Sequence, residues 1–345
     1  MTASKQLLEW VQAPIHWNLL QAALELKVFD FLLQPVKAAY VAEQTRLNPD
    51  KLGLLLDALA SLGILHKRQQ RYQLAEQYQS LLSSDDPRSM VANLLHMAKV
   101  KQMSVDRIKQ LLAATPSAAD DASYQSRMNF RDANFWQTAS DNLLAFHRST
   151  SNDYVLGLIE PWADKLAQRA VGDWQMLDLG AGSETLASSL LERYPALTLT
   201  LQDLPQSIDC IRQRLDQLPA DSQTRLNLLA GDFNKIELGG LYDLVWSSMA
   251  LYFANDLDGL LMRLKQQLKP GGVMLSLHEG LYNERTQPSY HVLGRFAPAM
   301  NGNDLSFDQC EIHAALQRVG FQAVATEKLA TPFGPMELTT AQRAL

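Results

Sequence analysis

From Trp174 onward the chain alternates short apolar runs with amphipathic segments, and this alternation constrains the fold more than any other feature. "QMLDLG", "LTLTLQDLP", "RLNLLAGDF", "YDLVWSSMA" and "VMLSLHE" read as strands; "LASSLLERY", "SIDCIRQRLDQL" and "DGLLMRLKQQLKPGG" read as helices between them. Strands separated by helices cannot close as tight hairpins. They lie parallel through right-handed crossovers, which gives a doubly wound α/β sheet with helices on both faces. In such a sheet ligands bind beyond the carboxyl ends of the strands, where the strand order reverses.

The strand ends therefore carry the functional signal. The first ends in "LDLGAGSE": Asp178, then Gly180 and Gly182, where glycine lets backbone N–H groups approach a bound molecule. The second ends in Asp203, 25 residues after Asp178, close to the spacing at which an acid reaches ribose hydroxyls. The third ends in "GDF", where Asp232 can accept from an adenine amine beside the apolar face of Phe233; the fourth ends at Ser247 and Ser248. A Gly-x-Gly turn alone is a weak signal. Four strand ends with compatible chemistry are not, and a second acid after strand three suits adenosine on a cationic sulfonium better than a pyrophosphate.

The first half reads as helical. "WNLLQAALELKVFDFLL" has helical spacing up to Pro35, and in "NPDKLGLLLDALASLGIL" Asn48 caps a helix whose first residue is Pro49. A short basic hairpin, "HKRQQR", follows, so the pattern is that of a winged helix. A formal net charge of −6 over 345 residues argues against a nucleic-acid surface. No apolar run reaches the ~18 residues of a membrane span, and Glu9 interrupts the N-terminal apolar stretch, so neither a membrane anchor nor a secretory signal is expected. Cys210 and Cys310 have no metal-type spacing and read as free thiols of a cytoplasmic protein. "LAATPSAADDAS" (112–123) has a linker's composition.

"LDLGAGSETLASSLLERYPALTLTLQDLP", "GDF" and "LKPGGVMLSLHE", with "LLLDALASLGIL" upstream, resemble the class I S-adenosylmethionine-dependent methyltransferases. More narrowly, the chain resembles the dimeric small-molecule O-methyltransferases with an N-terminal winged-helix dimerisation domain. The resemblance implies such a domain over 1–100, a helical linker region over 101–165 and a Rossmann-like catalytic domain over 166–345. It implies S-adenosyl-L-methionine as cofactor, with Gly180 and Gly182 as backbone cradle beside Asp178, Asp203 on the ribose, Leu204 on adenine, and Asp232 with Phe233 at its other edge. Ser247 and Ser248 complete the set, Ser248 standing where the family often has lysine. The expected partners are a second copy of the chain and a small molecule, with no metal. The expected reaction is O-methylation of an aromatic or enolic hydroxyl; a C- or N-methyltransferase, or a member that binds cofactor without turnover, is the alternative.

Two departures matter. Glu184 replaces a third glycine; it is read as a solvent-turned cap of the following helix, or less favourably as a contact to the methionine ammonium. In "DLVWSSMALYFANDLD" the resemblance places a base histidine nine residues after Asp243, and this chain has Tyr252. A neutral phenol is a poor base at pH 7. The acids that flank the family's histidine match Glu279 and Asp304, and His291 and His147 are candidate substitutes; His278, next to Glu279, should face the opposite side of its strand. Phe135, Trp136, His147, Phe296, Met300 and Asn301 are expected around the substrate.

Overall fold

The computed structural model describes residues 2–113, 133–169, 172–302 and 304–345. Most of the linker-like 112–123 segment, the side chain of Trp136, and Asn303 lie outside the described residues. The chain divides into two compact units, Met1–His96 and Met97–Leu345.

In the first unit the helix Ala3–Glu25 starts at Thr2, whose hydroxyl accepts from the N–H of Lys5. It ends well before Pro35. Leu26 and Lys27 turn their N–H groups back onto the carbonyls of Ala22 and Leu24, with Lys27 left-handed at φ 53°, and a 3₁₀ turn, Val28–Phe31, follows. That reversal satisfies carbonyls a continuing helix would have used, so the apolar spacing carries on while the helix does not. Asn48 caps Pro49–Ser61 by accepting from the N–H of Lys51. The helix buries Leu52, Leu56 and Leu59 against Phe29, Leu32, Val41, Leu65 and Leu74. Strands β1 (Val36–Lys37), β2 (Leu65–Arg68) and β3 (Arg71–Leu74) pair antiparallel in the order β1-β3-β2. Lys67 of the basic wing pairs with Asp57 at 2.5 Å and lies 5.0 Å from the Tyr72 ring centre.

The first helix is almost uncovered. Only Ala23 and Leu24 are buried, while Leu7, Leu8, Trp10, Val11 and Ile15 are all exposed.

The second unit is built on a seven-stranded sheet. It contains β4 (Trp174–Leu179), β5 (Leu197–Asp203), β6 (Leu226–Ala230), β7 (Tyr242–Ser248) and β8 (Leu268–His278). A pair of two-residue strands, β9 (Gly280–Leu281) and β10 (Phe307–Asp308), lies apart, and β11 (Gln322–Thr331) and β12 (Gly334–Gln342) rejoin the main sheet. The strand order is β11-β12-β8-β7-β4-β5-β6. β4 to β8 are parallel, as the alternation requires; β12 runs antiparallel to β8, and β11 antiparallel to β12, so the sheet is mixed. Two residues between β11 and β12 allow only a hairpin.

Alternate residues of the central strands feed two cores. Met176, Leu199, Leu201, Trp246 and Leu275 pack with Ile159, Leu186, Leu190 and Ile208 on one face. Leu177, Leu179, Val245 and Met274 pack with Leu260, Leu261, Leu264 and Leu316 on the other. β4 has β5 on one side and β7 on the other, so the order reverses there. The carboxyl ends of β4, β5 and β7 face one crevice.

Candidate functional site

β4 ends at Leu179, and the chain turns through Gly180 (φ +75°) and Gly182 (φ +68°). A Cβ at Gly180 would lie 2.5 Å from that of Ala250, beyond the end of β7, so this glycine is demanded by backbone and neighbour together. The turn is tied to β5: the N–H of Gly182 donates to Asp203 Oδ2 at 2.8 Å, and the N–H of Leu204 donates to Oδ1 at 2.7 Å. The four acceptor positions of this carboxylate meet these two N–H groups and the Ser207 hydroxyl, a rotatable donor that a ribose hydroxyl can replace. Burial raises the Asp203 carboxyl, opposed by these N–H groups and by Ser207. Asp178 is buried beside it, pushed up to about 8 by desolvation and by the charge of Asp203, and so holds its proton at neutral pH.

At the end of β6, Asp232 accepts from the backbone and side-chain amides of Asn234 and meets Lys235 Nζ at 3.2 Å; these groups hold its carboxyl below the usual range despite partial burial. Phe233 is buried in the core, with its carbonyl bound by Arg263. Ser247, expected at the cofactor, is fully buried and donates to the carbonyl of Leu179 at 3.3 Å, joining β7 to β4 instead. Ser248, the next residue, is half-buried.

Glu184 does not turn to solvent, and its side chain does not cap the helix Thr185–Arg193. It is buried and accepts from Arg214 Nε with both oxygens, at 3.1 and 3.0 Å, with Arg148 Nη2 at 3.8 Å. Two arginines distant in sequence make inward burial possible, so the solvent-turned reading is corrected. Arg148 belongs to a π-helical turn, His147–Ser151, that continues the helix Ala133–Phe146. His147 lies over the glycine turn: its Nδ1 is 2.6 Å from Ser183 Oγ, and its Cε1 would be 3.1 Å from a Cβ on Gly182. Burial lowers its imidazole to about 4. His147 therefore stands at the cofactor turn, as a neutral ring.

Tyr252 lies in a 3₁₀ turn, Leu251–Phe253, just past β7. Its ring packs edge-on to Phe253 at 5.0 Å and to His278 at 5.7 Å, and is tilted against Phe307 at 6.0 Å. Burial and the nearby Glu279 raise its phenol well above the ordinary value, so it stays protonated. His278 is buried, with both ring nitrogens bound within the protein. Its Nε2 accepts from the N–H groups of Ala250 and Leu251, both at 3.0 Å, so Nδ1 carries the proton and donates to Ser276 Oγ at 2.9 Å. Burial lowers this ring to about 3. Just before this turn Met249 stands at φ +53°, a strained conformation for methionine, and the hydrogen bonds from Ala250 and Leu251 to His278 fix the backbone that follows it.

Glu279 follows β8. Its Oε2 is buried with no hydrogen-bond partner, and desolvation pushes the carboxyl up to about 7, with Lys101 pulling the other way. Lys101, which the sequence reading missed, ends the helix Val91–Lys101 and lies 5.8 Å from the Tyr290 ring centre. No spacing rule connects residue 101 to residue 279. The structure gives the remaining base candidates other partners. His291 Nε2 donates to the carbonyl of Pro335 at 2.5 Å, and burial lowers its ring. Asp304 is tied to Arg295 at 2.6 Å, Arg285 at 3.2 Å and Ser306 at 2.6 Å, and these hold it below the usual carboxylate range. Asn301 is buried; it donates to the carbonyl of Ala297 and accepts from Arg107, so its amide closes the helix Ser289–Met300. On that helix Phe296 is exposed and Met300 half-buried; Phe135, on Ala133–Phe146, is also half-buried. Among the described residues no group of three or more His, Cys, Asp or Glu could hold a metal, and no helix is long and apolar enough to cross a membrane.

The chain matches the O-methyltransferase dimerisation domain over residues 11–84 and a methyltransferase domain over residues 177–274. It is 27% identical to acetylserotonin O-methyltransferase of Mus musculus molossinus, covering 94% of this chain and 85% of that protein. Among solved structures it resembles an O-methyltransferase family protein from Burkholderia thailandensis (TM-score 0.72, 21% identity, 100% and 99% of the two chains). It also resembles human N-acetylserotonin methyltransferase solved with S-adenosylmethionine (TM-score 0.67, 21% identity, 100% and 99%).

The lock on His278 gives a first expectation. His278→Ala leaves two buried N–H groups without an acceptor and opens a cavity, which costs on the order of 3–5 kcal/mol. The folded ring titrates at about 3, below its unfolded value. Its contribution is therefore complete above the unfolded value of about 6.5 and is lost as pH falls toward the folded one. Denaturant titrations from pH 7.5 to 4 should show a lower midpoint and a flatter acid decline in the variant. Equal midpoints and equal slopes would contradict the lock.

Proposed function

We propose that this chain, which belongs to the S-adenosylmethionine-dependent O-methyltransferases, methylates an aromatic or enolic hydroxyl of a small biosynthetic intermediate. The observation that carries the reading is the Asp203 carboxylate. It is held by the N–H groups of Gly182 and Leu204 and by the Ser207 hydroxyl, a rotatable donor that a ribose diol can replace. Asp232 supplies an acid for the adenine edge, Leu204 an apolar neighbour, and His147 a neutral ring over the turn. Bound there, S-adenosylmethionine supplies a methyl group on a cationic sulfur. The chain's own task is to hold the acceptor oxygen in line with that methyl and to keep water away. Phe135, Phe296 and Met300 offer apolar surface that suits a flat acceptor, and acetylserotonin, named for the murine relative, is one molecule of that kind.

The working form we propose is a cytoplasmic homodimer. The exposed apolar face of Leu7, Leu8, Trp10, Val11 and Ile15 lies partly within the matched dimerisation domain, and a second copy would cover it. An interface of roughly 2,000 Å² or more is expected. Light scattering at micromolar concentration should give twice the chain mass; a stable monomer would overturn this.

For the cofactor site, Asp203→Ala removes two charge-assisted hydrogen bonds to ribose, together about 2 kcal/mol or roughly 30-fold in affinity. Calorimetry with S-adenosylhomocysteine should show that loss with the fold intact by circular dichroism. Equal affinity in the two proteins would sink the assignment.

A further inference from the structure

With tyrosine at position 252, the destination of the acceptor's proton is the chemical question the site leaves open. Tyr252 is already protonated and desolvated. His278 has its only lone pair taken by two N–H groups. His291 donates from Nε2 to the Pro335 carbonyl, which leaves Nδ1 as its one acceptor in a ring whose pKa burial lowers, and Asp304 is held by two arginines.

Glu279 differs from all of these. It lies at the carboxyl end of β8, whose neighbour β7 leads into the Tyr252 turn, with Ser248 paired to Leu277 just before the two side chains emerge. Tyr252 packs on His278, the residue adjoining Glu279. Glu279 Oε2 is buried and unpartnered in a structure where the nearby acids are satisfied. Lys101 faces it from the end of Val91–Lys101, its Nζ within 3.6 Å of a Cβ built on Gly294. We propose that Glu279 is the general base, taking the acceptor's proton on Oε2 while Lys101 favours the ionised carboxylate and Tyr252 remains a neutral phenol beside it.

This rests on the O-methyltransferase reading above. In the step, the acceptor O–H bond breaks and its proton passes to Glu279 Oε2. The freed electron pair on oxygen forms the bond to the methyl carbon as the carbon–sulfur pair stays on sulfur. Glu279 then gives its proton to solvent, so one proton leaves per turnover.

The groups around Glu279 agree with this assignment. Desolvation raises its carboxyl to about 7, close to working pH, where a base is most effective. Lys101 opposes that rise from one helix, and Tyr252 faces it, uncharged, from the 3₁₀ turn. His278 on its own strand is neutral. His291, on Ser289–Met300, is near Lys101, and Glu337 on β12 accepts from the N–H of Cys310 at 2.8 Å.

The test uses Glu279→Gln in the full chain, with S-adenosylmethionine labelled at the methyl group and phenols of pKa about 7 to about 10. At pH 7.5, kcat/KM should fall at least ~100-fold for the least acidic phenols and less than ~10-fold for the most acidic, which arrive ionised, since a general base is worth about 10²–10⁴. S-adenosylhomocysteine affinity should stay within ~3-fold of wild type. A uniform loss across the panel would overturn the assignment and mark Glu279 as merely structural. If wild type methylates none of the phenols, the substrate reading fails instead, and carboxyl-carbon NMR of labelled glutamate still decides the base. One resonance, absent in Glu279→Gln, should titrate near neutrality and move upward in Lys101→Met. Titration in the ordinary range near 4 would overturn the proposal.

Discussion

The hydrogen bond from the Gly182 N–H to Asp203 is the constraint on which the site depends, because it joins two features that neither strand builds alone. Without it the turn after β4 is a glycine loop, and Asp203 is a buried acid beside Asp178, another buried acid. With it, the loop is pinned to the end of β5, and the Asp203 charge is met by N–H donors at the switch point of the sheet. Gly180 serves the same arrangement from the other side, since a side chain there would collide with Ala250. The crevice is thus closed on β5 by a carboxylate and on β7 by close backbone approach.

A second lock operates beyond β7. The turn through Met249 is strained, and Tyr252 depends on it for position. His278 stabilises the turn by accepting from two successive N–H groups, which requires the ring to be neutral and of one tautomer. Burial supplies the neutrality. This histidine therefore acts on the backbone, while Oε2 of the neighbouring Glu279 has no hydrogen-bond partner.

What could be read beforehand was local or periodic. The β4–β8 alternation and the cap at Asn48 and Pro49 follow from patterns a few residues long. Relations across sequence distance could not be read. Glu184 reads as a solvent-turned cap because it stands at the start of a helix; Arg148 and Arg214 reach it only through the packing of the second unit. Ser247 was assigned to the crevice from its place at a strand end, but the strand's twofold period turns its hydroxyl onto Leu179. The early end of the first helix depends on a left-handed Lys27, a conformation for which lysine carries no signal.

The central claim is that Asp203 anchors the nucleoside so that the reactive sulfur faces Glu279. A crystal structure with S-adenosylhomocysteine tests it most directly. The account expects both ribose hydroxyls within about 2.6–3.2 Å of the Asp203 oxygens, the adenine between Leu204 and Asp232, and the sulfur on the Tyr252–Glu279 side. A ribose bound away from Asp203, or a sulfur directed away from Glu279 with the ribose in place, would contradict it.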